Sequence, residues 1–179
     1  VVSEQGWLLL VYRIPSEPTR LRATVWRRLK GLGAIYLQSA AAALPASPAA
    51  ERALRKLQHD IVGMSGTAVL MSSSVLVGEQ DVRNAFLAAR DDEYEEIVDK
   101  CQDFHAQLEK EYAANHFTFA ELEENEEDLI KLRNWFAKIT DRDVLGATGR
   151  KATEDALRTC EEALEKYAAR VYTEEAESH

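Results

Sequence analysis

At 179 residues the chain is long enough for one compact domain or two small ones sharing a core. Hydrophobic residues at 46% and charged residues at 30% give a globular balance that excludes a disordered chain, and no apolar run reaches the roughly 20 residues of a membrane helix. Charge is unevenly placed: residues 1–78 hold 9 Lys+Arg against 4 Asp+Glu, a balance of +5, whereas residues 79–179 hold 13 against 27, a balance of −14. A basic module followed by an acidic one is the expected layout.

Trp7–Ile14 is an almost continuous apolar run closed by Pro15, the pattern of a strand buried on both faces. Ser16 is placed to cap the next helix, with Pro18 in its first turn. That helix carries Leu21, Val25, Leu29 and Leu32 on one stripe and stops at Gly33. Gly33–Pro45 contains two short apolar pieces around Gln38-Ser39, the outline of a hairpin. Ser47-Pro48 is a strong helix start, a cap followed by proline at the first helical position. The helix it opens points Leu54, Leu57 and Ile61 inward and fades at Gly63–Gly66. Thr67–Met71 is a further strand, extended through Ser72–Ser74 to Val75–Val77. The order β-α-β-β-α-β is that of ferredoxin-like domains.

After Gly78 the periodicity changes. Val82, Phe86, Ala89, Tyr94, Ile97, Cys101, Phe104, Leu108 and Tyr112 follow at helical spacing, predicting a long helix from Asp81. Leu122, Leu129, Leu132, Phe136 and Ile139 form a second stripe; Leu157, Cys160, Leu164, Tyr167 and Val171 form a third. Turns are expected at Asn115–Thr118 and Asp141–Gly149, and a frayed tail from Thr173 to His179. The fold class is therefore α+β: a ferredoxin-like βαββαβ domain over 7–78, then a three-helix, partly coiled-coil-like subdomain over 79–175, docked on it.

Four groups of residues invite a functional reading. Arg13, Arg20, Arg22, Arg27, Arg28 and Lys30 form a basic cluster. On the helical wheel Arg20, Arg27 and Lys30 point away from the apolar stripe, while Arg22 and Trp26 flank it on one side and Arg28 on the other. Such a face can hold phosphates, because each contact releases counterions, and Trp26 can stack on a base or pack at the rim of the core. The same arginines can instead pair with the acidic half, Arg28 with a carboxylate in Arg90–Glu93 for example.

Arg90-Asp91-Asp92-Glu93-Tyr94 and Asp141-Arg142-Asp143 can supply Arg90 and Arg142 as oxyanion ligands. They can equally form a charged network locking helices together, which arginine suits well. Cys101 and His105, four apart, have the spacing of half a metal site, but nothing completes four ligands, so no metal is expected. Glu121–Asp128 lacks calcium-loop spacing and reads as a solvated helix face. Neither G-x-S-x-G nor a phosphate-binding glycine loop occurs, and the first strand offers no acid for metal-assisted hydrolysis. No catalytic residue and no cofactor is expected, and the chain is not read as an enzyme. The cysteines read as buried thiols of a reducing cytoplasm.

The strings WLLLVYRIPSEPTRLRATVWRRLKGLGA, IYLQSAAAALP, SGTAVLM, FLAARDDEYEEI and ITDRD resemble the N-terminal domain of the bacterial chromate-resistance protein ChrB, over roughly Trp7 to Tyr172. The strand-Pro-x-x-Pro element followed by Trp-Arg-Arg-Leu is the more specific part, and the layout is also similar to PaaX-type repressors. The resemblance implies a cytoplasmic bacterial protein tied to a chromate-responsive operon, acting as a transcriptional regulator. Full-length members carry a further C-terminal domain thought to sense chromate, so this chain is read as a fragment or a stand-alone relative served by a separate partner. On this reading Arg20, Arg22, Arg27, Arg28 and Lys30 contact promoter DNA and the protein is a homodimer. The alternatives are a protein-interaction or dimerisation module whose arginines make internal salt bridges and, more distantly, an oxyanion-binding protein using Arg90 and Arg142.

Overall fold

A computed structural model describes residues 5–178. It is an α+β structure with the order β1 (Trp7–Arg13), α1 (Arg20–Leu32), β2 (Ile35–Gln38), β3 (Ala41–Pro45), α2 (Pro48–Gly63), β4 (Thr67–Ser73), α3 (Glu79–Ala113), α4 (Phe119–Arg142) and α5 (Gly149–Glu177). The strands form one antiparallel sheet in the order β2-β3-β1-β4. The chain packs as two units, Val1–Ala89 and Arg90–His179, divided within α3. No helix among the described residues is long and apolar enough to cross a membrane.

In the first unit β1 is hydrogen-bonded on both edges. Trp7 to Val11 face Pro45 to Ala41 of β3, and Trp7 to Arg13 face Ser73 to Thr67 of β4. Leu8 and Leu10 are buried on one face, while Trp7 on the other meets Phe86 edge-on at 6.4 Å. Burial fades toward the C-terminal end of the strand, where Val11 and Arg13 are exposed, so β1 is covered on both faces only over its first half.

α2 packs on β1 and β4 and is itself packed by α1. It begins as its sequence predicts: Pro48 is in the first turn, and the Ser47 hydroxyl accepts from the Ala50 N–H at 3.1 Å. Leu54, Leu57 and Ile61 are buried, as are Val25 and Leu29 of α1. α1 begins later than expected. Ser16 caps nothing; residues 14–19 cross from the sheet as an irregular segment, and Thr19 precedes the helix without a side-chain cap bond. The prolines at 15 and 18 bias the residues before them away from helical backbone. The Ser16 carbonyl instead accepts from Arg22 Nη2 at 3.0 Å.

The hairpin forms as expected, β2 and β3 joined at Ser39–Ala40, with a bulge between Tyr36 and Gln38. β4 ends at Ser73, and Val75–Val77 is not strand. The ladder with β1 ends at the Ser73–Trp7 pair, where β1 itself begins, and the Gly6 carbonyl before it is already taken by the Ala46 N–H at 2.8 Å. Leu76 and Val77 are left more than nine-tenths exposed.

In the second unit Tyr94, Ile97, Cys101, Phe104 and Leu108 of α3 are buried, as are Leu122, Leu129 and Ile139 of α4 and Leu157, Cys160, Leu164, Tyr167 and Val171 of α5. α4 opens on Thr118, whose hydroxyl accepts from the Glu121 N–H. The acids of Glu121–Asp128 are at the surface or half-buried, and the inward position of that turn is Asn125, which donates to the Glu121 carbonyl at 2.7 Å. The expected frayed tail is helical to Glu177. Buried Val171, the Phe119–Tyr172 ring pair and the Arg170–Glu174 ion pair hold its last turns; His179 lies outside the described residues.

Gly66 occupies the tightest point between α2 and β4. A Cβ there would stand 2.5 Å from the Arg13 carbonyl oxygen and 2.9 Å from Ile61 Cγ2, whereas one at Gly63 would meet nothing within 4 Å. Gly66→Ala is expected to destabilise the protein by about 1–3 kcal/mol through overpacking. Gly63→Ala is expected to be neutral or stabilising by up to about 1 kcal/mol. Urea unfolding midpoints of the two variants check this.

Candidate functional site

The apolar stripe of α1 decides which of its cations face water. Val25 and Leu29 are fully buried, and Arg20, Arg22, Arg27 and Lys30 lie on the exposed part of the helix. The helix contains no acidic residue, and Arg20 and Arg27 have no ion pair among the described residues. Lys30 lies 5.0 Å from the ring centroid of Trp26, which is half-exposed rather than part of the core. Arg28 differs from the others. Its Nη1 pairs with Asp60 of α2 at 2.7 Å, and both side chains are about one-third exposed. The guanidinium holds the Asp60 carboxyl below its ordinary range. The carboxylate met by Arg28 is thus one turn from the end of α2, not one of those in Arg90–Glu93.

Arg90 and Arg142 are brought together by Glu93. Arg90 Nε lies 2.7 Å from Glu93 Oε2, and Arg142 reaches both oxygens of the same carboxylate, through Nε at 3.3 Å and Nη2 at 2.5 Å. All three side chains are at least four-fifths buried. Burial lowers the Arg90 pKa, opposed by the Glu93 charge. The neighbouring contacts continue the network. The Tyr94 hydroxyl donates to Asp143 Oδ2 at 2.8 Å, and Asp143 accepts from the Ala147 N–H. Asp91 accepts from the Gly149 N–H at 2.7 Å, at the start of α5, where a carboxylate complements the helix dipole. Thr153 donates to the Tyr94 carbonyl and to the Gly149 carbonyl. Chemically this is a lock between α3, the end of α4 and the start of α5.

Sequence spacing did not disclose three of these partners. Asp60 becomes the mate of Arg28 only through the packing of α1 on α2. Asp143 is drawn inward by its turn with Ala147. Cys160 brings its Sγ within 3.6 Å of His105 Nε2, so the expected neighbour of Cys101 on α3 contacts α5 instead. Both cysteines are buried thiols. Among the described residues no group of three or more His, Cys, Asp or Glu side chains is placed to hold a metal.

The family model described as Protein ChrB, N-terminal, matches residues 22–178. The chain belongs to this ChrB N-terminal family. A curated relative, Protein ChrB of Cupriavidus metallidurans (strain ATCC 43123 / DSM 2839 / NBRC 102507 / CH34), is 32% identical over 93 residues, which cover 52% of this chain and 29% of the relative. The chain thus aligns with less than a third of that relative's length. The ChrB match takes in Arg22, Arg27, Arg28, Lys30, Arg90, Glu93 and Arg142 and begins two residues after Arg20.

Two outcomes follow from the Glu93 lock. Glu93→Gln removes the carboxylate that bridges buried Arg90 and Arg142 and is expected to cost about 3–5 kcal/mol in urea unfolding. Burial, then the bond to Asp143, push the Tyr94 phenol up to about 12. The native state therefore keeps a proton that the unfolded chain loses near pH 10. The Tyr94 contribution is complete below pH 10 and is lost as the pH rises through 12. The unfolding midpoint is expected to fall less steeply over this window in Tyr94→Phe than in the parent protein.

Proposed function

We propose that the chain is a non-enzymatic, DNA-associated regulatory module of the chromate-resistance type, acting in the cytoplasm as a homodimer. Its first unit is read as a ferredoxin-like domain, which the βαββαβ order and the antiparallel β2-β3-β1-β4 sheet support. The three helices α3 to α5 that follow the sheet are read as its helical subdomain. Family membership supports the regulatory setting, and fold alone would not.

One observation carries the DNA reading: an acid-free helix places Arg20, Arg22, Arg27 and Lys30 toward solvent beside a half-exposed tryptophan. In a chain of net charge −9, a helix kept clear of carboxylates is a local exception. Its charges are arranged for phosphates, each contact releasing a condensed counterion from the duplex. A two-fold dimer would present the helix twice, in register with paired half-sites. Arg28 has a supporting part here, since its bond to Asp60 fixes α1 to α2.

The Arg28–Asp60 pair also favours the second reading, a protein-interaction module with internally paired arginines. That reading accounts for one cation of the five. An oxyanion at Arg90 and Arg142 would have to displace Glu93 from both, so this reading gains nothing from the cluster.

Fluorescence anisotropy with a duplex from upstream of the protein's own operon, across a salt series, tests the proposal. The parent protein is expected to prefer this duplex over an unrelated one with a steep salt slope. Arg27→Ala/Lys30→Ala is expected to bind more weakly, the slope falling by about 2. An unchanged slope would remove α1 from the interface.

A further inference from the structure

The groove beside the N-terminal half of α1 sets aromatic rings beside Arg22, which contacts to duplex phosphates alone do not use. It is lined by Tyr12, Arg13 and Ile14 of the β1 end, Arg22 and Trp26 of α1, and Tyr36, Ser39 and Ala40 of the hairpin, and holds about 450 Å³. Small-ligand sites run from about 300 to 1,000 Å³. Three aromatic residues and two arginines contribute to its lining, and no acidic residue does. Arg13 alternates with Tyr12 along β1, so Arg22 supplies the guanidinium on the side of the rings. Trp26 and Tyr36 are 49% and 37% exposed, so each keeps ring surface open to a ligand.

We propose that this groove binds a nucleoside monophosphate, its base stacked on Trp26 and its phosphate held by Arg22. The recognition follows from the donors available. A guanidinium has five N–H donors, and Arg22 spends one on the Ser16 carbonyl, which also fixes its position. Indole is the strongest of the side-chain stacking surfaces for a base, and Lys30 adds positive charge beside it.

The Tyr12 and Tyr36 hydroxyls lie 2.8 Å apart. Whichever donates, the other keeps its own proton, so the pair offers one O–H and spare lone pairs to the polar edge of a base. Burial, and then the Tyr12 hydroxyl beside it, raise the Tyr36 pKa, so this donor stays protonated through the neutral range. The groove takes a free nucleotide rather than a strand because its volume suits one ring with one anionic group. The inference does not rest on the DNA reading, since nucleotide binding is measured with no DNA present.

The test titrates the protein with adenosine 5′-monophosphate, following tryptophan fluorescence and, independently, heat by calorimetry. Of the three tryptophans Trp26 is the reporter, so Trp26→Phe is expected to lose the fluorescence change while calorimetry still detects binding. Saturable binding that weakens at least about tenfold in Arg22→Ala supports the site. Binding of inorganic phosphate should be at least about tenfold weaker than that of the nucleotide. The proposal is overturned by no saturation up to about 1 mM nucleotide, by binding indifferent to Arg22→Ala, or by phosphate binding as tightly as the nucleotide. Binding of single-stranded oligonucleotide without binding of the mononucleotide also overturns it, assigning the groove to a strand. Unchanged circular dichroism of the variants, all at exposed positions, separates loss of the site from loss of the fold.

Discussion

The first unit depends on β1 having partners on both edges. Strands 2, 3 and 4 contribute their backbone to the sheet only through it or through its neighbour β3, so the register of Trp7–Arg13 places everything else. It puts Leu8 and Leu10 under the helices and Trp7 against Phe86. It also ends β4 at Ser73 and brings the Arg13 carbonyl so close to Gly66 that no side chain fits there. The position of α1, and of every cation on it, follows at one remove: α2 packs on β1, α1 packs on α2, and Arg28–Asp60 ties the last two together.

Arginine is used in two contrasting ways. In the α1 face it is kept away from carboxylates and left to solvent, where its charge is available over a Debye length of about 8–10 Å. In the Arg90–Glu93–Arg142 cluster it is buried, and two guanidiniums share one carboxylate. The second arrangement is costly to desolvate and is tolerable because nearly every polar atom around it has a mate, from Asp91 at Gly149 to Asp143 at Ala147. The same residue type thus marks an interaction surface in one unit and a structural joint in the other.

Local signals were legible in the sequence wherever one element decides its own geometry. Ser47-Pro48 announced α2 because capping is a matter of four consecutive residues, and Leu157, Cys160, Leu164, Tyr167 and Val171 announced the buried face of α5 because helical spacing alone puts them on one side. Features set by a neighbour were not legible. Val75–Val77 has strand composition, yet no strand runs alongside to receive it. Ser16 has the side chain of a cap, but two prolines hold the backbone off a helical path until Thr19. For the candidate site the wheel of α1 set Arg20, Arg27 and Lys30 toward solvent, whereas it left Arg22 and Arg28 both at the margin. Only the packing of α2 beside α1 distinguishes the exposed Arg22 from the paired Arg28. The Tyr12–Tyr36 hydroxyl pair was equally hidden, since the two residues sit on strands that are not adjacent in the sheet.

The sharing of Glu93 has a consequence for how this sequence can drift. Arg90, Glu93 and Arg142 are not three independent positions, because each owes its tolerance of burial to the others. Removing the acid takes away the bridge between two buried cations, and removing one cation unbalances a carboxylate shared between helices. Variation is therefore expected to move through them as a set, or through replacement of all three by apolar side chains of similar volume. In relatives that have made that exchange, Asp91 and Asp143 would be left to hold the start of α5 by their backbone contacts alone.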